Sequence, residues 1–149
     1  MQEKYWESFT IGESIKTWSI TVTETHLVNW AGLTMDFFPL HMDEEYAKKG
    51  NFGRRVAHGP LTFALSIGLL GSTGFLGDSI IGWLGLEKMR IPAPVFIGDT
   101  ITVEVEVKEK SETKKPQNGV TTMHYKILNQ NNICVMEFDN LFLMRRKPS

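Results

Sequence analysis

Two stretches of this 149-residue chain carry side chains whose types and spacing could do chemistry. The first is Asp36-Phe37-Phe38-Pro39-Leu40-His41-Met42-Asp43. A carboxylate and an imidazole five residues apart do not share a face of a regular helix, and Pro39 predicts that no regular helix runs through them. The proline biases Phe38 towards extended backbone instead, so the segment turns and Asp36 and His41 converge across the turn. Trp30, Met35, Phe37, Phe38, Pro39 and Leu40 surround that pair with apolar surface. Desolvation and mutual charge there would tune an acid/base site. The same residues also have a plainer use, in which Asp36 caps amides of the loop and His41 satisfies a carbonyl.

The second stretch is His58-Gly59-Pro60. Proline suits the first position of a helix, where its missing N–H leaves nothing unsatisfied. A glycine beside it lets a ligand approach closely, and its N–H lies where the helix dipole favours negative charge. Because Pro60 has no N–H, Gly59 is the natural donor. The plainer reading is an ordinary glycine–proline helix start. Other common chemistries are missing from the sequence. The four histidines, His26, His41, His58 and His124, form no zinc pattern, and there is no G-x-S-x-G elbow, dinucleotide-binding glycine motif or P-loop. No metal and no cofactor is expected.

The elements that must position these residues follow from periodicity. Ile15 to Val22 predicts a first strand, and Thr23 caps a short helix running to about Gly32. Residues 33–55 read as a structured loop with one helical turn at Asp43–Lys48. A helix starting at Pro60 and running through Leu70 is apolar nearly all round, so other structure should wrap it. Strands follow at Ile80–Glu87 and Met89–Ile91, then at Ile101–Lys108, Val120–Leu128 and Ile133–Arg145. The strict alternation of Ile101–Lys108 marks a half-buried antiparallel strand. The order predicts an α+β domain with one antiparallel sheet curled around one helix.

Composition narrows the function further. Apolar residues make up 42% of the chain, enough for a real core, and 16 basic residues against 17 acidic ones leave no basic face for nucleic acid. The lone Cys134 lies in the apolar run Ile133–Met136 and reads as an inert buried thiol. The first residues lack a signal-peptide pattern, and no apolar run approaches the roughly 20 residues of a membrane span. The expectation is a soluble, cytoplasmic protein of one domain spanning residues 1–149.

The run from Asp36 to Ala47, with Phe52-Gly53 and Val56-Ala57-His58-Gly59, resembles the hydratase motif of the MaoC-like dehydratases, the (R)-specific enoyl-CoA hydratases. Pro94 to Thr100 is similar to the turn before that family's central strand. The resemblance implies a hot-dog fold, a curved antiparallel sheet around a long helix, and a homodimer acting on acyl thioesters of CoA or acyl carrier protein in fatty acid metabolism. It implies that Asp36 and His41 are the catalytic acid/base pair and that the Gly59 N–H holds the thioester oxygen. Phe38 departs from it, standing where the family typically has asparagine.

The expected activity is cofactor-free, reversible hydration of an enoyl thioester. Trp30, Phe37, Phe38 and His58 are placed with the substrate, and Arg54, Arg55, Lys88 and Arg90 are candidates for the CoA phosphates. A hot-dog thioesterase and a non-catalytic acyl-thioester-binding subunit stay open beside it.

Overall fold

The computed structural model describes residues 2–148. Its strands are β1 (Ser14–Thr21), β2 (Ile80–Arg90), β3 (Thr100–Glu112), β4 (Asn118–Leu128) and β5 (Cys134–Arg145). Its helices are α1 (Glu24–Thr34), α2 (Pro39–Met42), α3 (Glu44–Lys48) and α4 (Gly59–Ser72). A short 3-10 turn, Trp6–Ser8, precedes them. The strands form one antiparallel sheet in the order β1-β3-β4-β5-β2, with α4 against one face. This is the α+β hot-dog arrangement.

The period-two pattern of β3 does what alternation requires. Ile101, Val103, Val105 and Val107 are buried to 1% exposure or less, and they join Leu61 and Leu70 of α4 in one core. The opposite face is charged. Register places Lys16, Glu104, Lys126, Glu137 and Arg90 in one row across all five strands, alternating in sign. The row ends in ion pairs at 3.2 Å (Lys16–Glu104) and 2.8 Å (Arg90–Glu137). Opposite charges side by side suit a solvated sheet face.

Four local expectations need correction. Pro39 does not keep helix out of its segment: it opens α2 as first residue, the helical position that needs no N–H. Helix α1 runs past Gly32 to Thr34 and stops where Met35 turns left-handed, its N–H on the Ala31 carbonyl at 2.8 Å. The break between Glu87 and Met89 is a register irregularity within one strand, β2, with Lys88 at φ 52°. The wrapping of α4 is one-sided. Leu61, Thr62, Ser66 and Leu70 are buried, but Phe63, Ala64, Leu65, Ile67 and Leu69 stay half-exposed. No described helix is long and apolar enough to cross a membrane.

Candidate active site

The segment between α1 and α4 folds back over the start of α4, and a few polar contacts hold it there. Asp36 follows the left-handed turn at Met35, and Phe38 is extended at φ −56° and ψ 134°, as a residue before proline should be. Helix α2 then carries His41 back towards Asp36. A carboxylate oxygen of Asp36 and one ring nitrogen each of His41 and His58 lie within 4.8 Å of one another. The convergence read from the sequence is therefore present.

Hydrogen bonds set the protonation pattern. The Val56 carbonyl can only accept, so at 2.8 Å His41 Nδ1 carries a proton, and the tautomer with one proton has its lone pair on Nε2. Asp36 Oδ1 accepts weakly from the Phe38 N–H at 3.4 Å, leaving its other oxygen open. The plainer uses considered from sequence thus both occur, and each consumes only one atom of its side chain. Two groups separated by no more than 4.8 Å can hold one water between them, since hydrogen bonds of about 2.8 Å to each reach further than that.

His58 lies beneath. It has no exposed surface, stacks on His41 at 3.9 Å between ring centroids, and donates from Nε2 to the Asp36 backbone carbonyl at 3.0 Å. Burial holds its pKa below the ordinary histidine value, so the ring stays neutral. Its Nδ1 is buried without a partner. Expected among the substrate-binding residues, it is enclosed here under Asp36 and His41 and does not line the hollow that His41 and Gly59 share. The three side chains together are a poor cage for an ion. His41 Nδ1 and His58 Nε2 are already bonded to the Val56 and Asp36 carbonyls, which leaves at most one nitrogen of each ring for an ion.

Gly59 is the first residue of α4, where no carbonyl of the same helix can reach its N–H. Gly59 and His41 line one hollow of about 230 Å³, walled by Leu40, Phe52, Ile91 and Met136. A Cβ added at Gly59 would come within 3.3 Å of Ile91 Cδ1, so a side chain there would crowd the wall. The His58–Gly59 segment is fixed from behind, because Ala57 donates to the Val95 carbonyl at 2.7 Å and Val56 bridges Phe96. Asp99 caps that turn by accepting the Phe96 N–H at 2.8 Å.

The remaining candidates separate. Phe37 and Phe38 are about half exposed, at 53% and 54%, at the rim; the Phe38 ring stands edge-on to His41. Trp30 packs against the core. Arg54 is exposed with its guanidinium 3.8 Å from the Phe96 ring centroid, and Arg90 is paired with Glu137. Lys88 sits 3.7 Å from Asp139.

Arg55 is not free for a phosphate. It binds Glu24 with both terminal nitrogens, at 2.7 and 2.6 Å, and Glu44 through Nε at 3.0 Å. Those bonds, Glu24 first, raise its pKa further and depress that of Glu24. The clamp ties the start of α1 to α3, one residue before the Val56 carbonyl that orients His41. Glu24 and Glu44, each opening a helix, were its visible signal; the Val56 carbonyl had none, because a backbone acceptor exists at every residue.

The family described as MaoC like domain matches residues 7–127. The uncharacterized protein YdeM of Bacillus subtilis is 34% identical over 142 residues, covering 94% of this chain and 98% of that protein. An (R)-specific enoyl-CoA hydratase of Rhodospirillum rubrum is 35% identical over 111 residues, covering 74% of each. Among solved structures, the monoamine oxidase regulatory protein from Archaeoglobus fulgius superposes with a TM-score of 0.92 at 38% identity, over 97% of this chain and 96% of that one.

Proposed function

The chain belongs to the MaoC-like domain family, and on that premise we propose that it adds water reversibly across the double bond of a 2-enoyl thioester of CoA or acyl carrier protein. The observation that carries this is that His41 and Gly59, the first residue of α4, line one hollow, with a carboxylate oxygen of Asp36 within 4.8 Å of a His41 ring nitrogen. Hydration needs a base for water at the β-carbon, an acid for the α-carbon and a donor for the thioester oxygen.

In this reading one water sits between the open Asp36 oxygen and His41 Nε2. As its oxygen bonds the β-carbon, the pair takes one of its protons. The electron pair of the double bond shifts to the bond between the α-carbon and the carbonyl carbon, the carbonyl pair moves onto the enolate-like thioester oxygen, and the Gly59 N–H donates to that oxygen; in other enzymes losing such a donor costs about 3–4 kcal/mol. The proton then returns to the α-carbon. His58 and Arg55 hold the geometry and touch no reacting atom.

We also assign the active species as a homodimer. Strand β2 is a sheet edge with Ile81 (53%), Trp83 (57%) and Leu84 (53%) exposed, and it adjoins the half-covered face of α4. A long apolar edge left bare invites pairing, and a second copy buries it symmetrically. A monomeric mass by light scattering at micromolar protein would remove that assignment.

The activity test is incubation with crotonyl-CoA while following enoyl absorbance and free thiol together. Loss of absorbance without thiol supports the hydratase. Thiol release points to a thioesterase, and no change to a binding subunit.

A further inference from the structure

The segment that carries Asp36 and His41 leaves the sheet after Val22 and returns at Val56, and both of its stems are bonded to one turn. That turn is Phe96-Ile97-Gly98-Asp99, closed by the Asp99 N–H on the Phe96 carbonyl at 3.1 Å, with Gly98 at φ 97°. On the outgoing stem, Val22 accepts the Gly98 N–H at 2.7 Å and donates to the Asp99 backbone carbonyl at 2.8 Å. On the returning stem, Val56 bridges Phe96, and Ala57 donates to the neighbouring Val95 carbonyl at 2.7 Å. Val56 is also the residue whose carbonyl holds His41 Nδ1, and Gly59 follows soon after it.

One side chain fixes the turn. Asp99 is 7% exposed, and its carboxylate accepts the Phe96 N–H on Oδ2 at 2.8 Å and a Gln130 Nε2–H on Oδ1 at 2.9 Å. Capping Phe96 alone needs one acceptor, which asparagine or serine also supplies. Accepting on both oxygens needs a carboxylate, and burying one is costly unless hydrogen bonds compensate it. Acceptance on two sides is therefore what the aspartate contributes.

Gln130 comes from the turn between β4 and β5, a segment with no part in the proposed reaction. Its Oε1 accepts the Thr100 N–H at 3.0 Å while its Nε2 donates to Asp99. The Thr100 N–H only donates and the carboxylate only accepts, so a single orientation of the amide fits. The turn behind it is braced as well, because Asn129 Oδ1 accepts the N–H groups of Asn131 and Ile133, each at 3.0 Å. Gln130 is exposed, and exchanging an exposed side chain ordinarily changes global stability little.

Resting on the hydratase reading, we infer that Asp99 and Gln130 are positioning residues: they lock the turn that sets the spacing of the two stems, and with it the place of Asp36 against His41 and Gly59. Neither touches substrate. A displacement of about 1 Å at a reacting centre can cost about a hundredfold in rate.

The test inverts the polarity of the pair. Asp99→Asn sets one amide against another, and Gln130→Glu sets one carboxylate against another, so each single variant loses the bond. In the double variant the new amide donates to the new carboxylate, whose second oxygen still accepts the Thr100 N–H. For crotonyl-CoA hydration, kcat should fall about tenfold or more in each single variant and recover most of the way in the double variant, with KM little changed. Solvent exchange of the His41 Nδ1 proton, followed by NMR, reads the same geometry without turnover. It should quicken in each single variant and slow again in the double one. Native kcat and native exchange in the single variants would overturn the inference, whatever the melting temperature does, and so would losses that the double variant fails to recover. Should the Asp99 variants not fold, Gln130→Ala decides alone, with lower kcat and faster exchange expected at an unchanged melting temperature. The exchange pattern without hydration of crotonyl-CoA by the native protein would keep the positioning role and sink the hydratase reading, and hydration with neither readout responding to the variants would do the reverse.

Discussion

The sheet core and the segment between α1 and α4 are held together in different ways. In the core, Ile101, Val103, Val105, Val107, Met123 and Phe138 are all buried to 1% exposure or less, each against several others. The site segment leaves Leu33, Met35, Phe37 and Phe38 exposed and relies on a few polar contacts: His41 on Val56, His58 on Asp36, and Arg55 on Glu24 and Glu44. Apolar packing is redundant, non-directional and forgiving of small errors in position. Hydrogen bonds fix position and orientation, but each is made once. The core therefore sets how stable the protein is, and the polar contacts set whether the site is assembled.

The largest consequence concerns Asp36 and His41. Asp36→Asn and His41→Ala should each lower kcat by about 10³-fold or more, the loss typical when a member of a catalytic unit is removed, with thermal melting unchanged. Either variant retaining near-normal turnover would undo the assignment. The converse probe is Leu70→Ala in the core. A buried leucine truncated in this way costs about 2–5 kcal/mol of stability, readable by denaturant melts, while kcat per folded molecule should hold.

Arg55 tests the clamp. Arg55→Lys keeps the charge but cannot hold two carboxylates with a planar fork. We expect kcat to fall about tenfold to a hundredfold through misplacement of His41, with little change in melting temperature. A large melting shift at constant kcat would make Arg55 a stability residue instead.

His58 predicts a pH effect on stability, and its sign follows from its environment. Its folded pKa is depressed by burial, so below about pH 6.5 the unfolded chain binds a proton that the folded protein refuses. Stability should then fall as pH drops below that value, by at most about 1.4 kcal/mol per pH unit. His58→Gln should flatten this dependence. Asp139 adds a separate loss at lower pH. Burial opposes its ionisation, but hydrogen bonds from Lys108 at 2.7 Å and His124 at 2.8 Å outweigh it and hold its pKa below the usual range. Its contribution is present above about pH 4 and disappears as pH falls through the depressed value. Urea melts from pH 7.5 to pH 3 would separate the two.

The smallest effect belongs to Phe38. Its ring stands at the rim, edge-on to His41, so Phe38→Asn should change acyl preference by about 1–3 kcal/mol at most, in a graded way across straight and branched enoyl-CoA substrates. Identical profiles would show that the ring does not shape the hollow.

How far the sequence could be read follows the same division. Alternation in Ile101–Lys108 and the apolar run after Pro60 led to β3 and α4, because periodicity records which face is buried. Asp36, His41 and Gly59 stood out because their residue types suit few roles at that spacing; the structure sets Asp36 within 4.8 Å of His41, and His41 and Gly59 on one hollow. His58 and Arg55 were noticed and placed with the ligand, since an imidazole beside a glycine and an arginine in a loop read as contacts. In the structure their partners are a backbone carbonyl and two distant glutamates, which the spacing of the sequence does not reveal.

The central claim, that Asp36 and His41 act together on one water adding to an enoyl thioester, is tested most directly by a double-mutant cycle on crotonyl-CoA hydration. Turnover of native protein, Asp36→Asn, His41→Ala and the double variant is measured under one condition. If one shared water is activated, the double variant should be scarcely slower than either single variant. Losses that multiply, so that the double variant is slower by the product of the two, would show that the residues act independently and contradict the account.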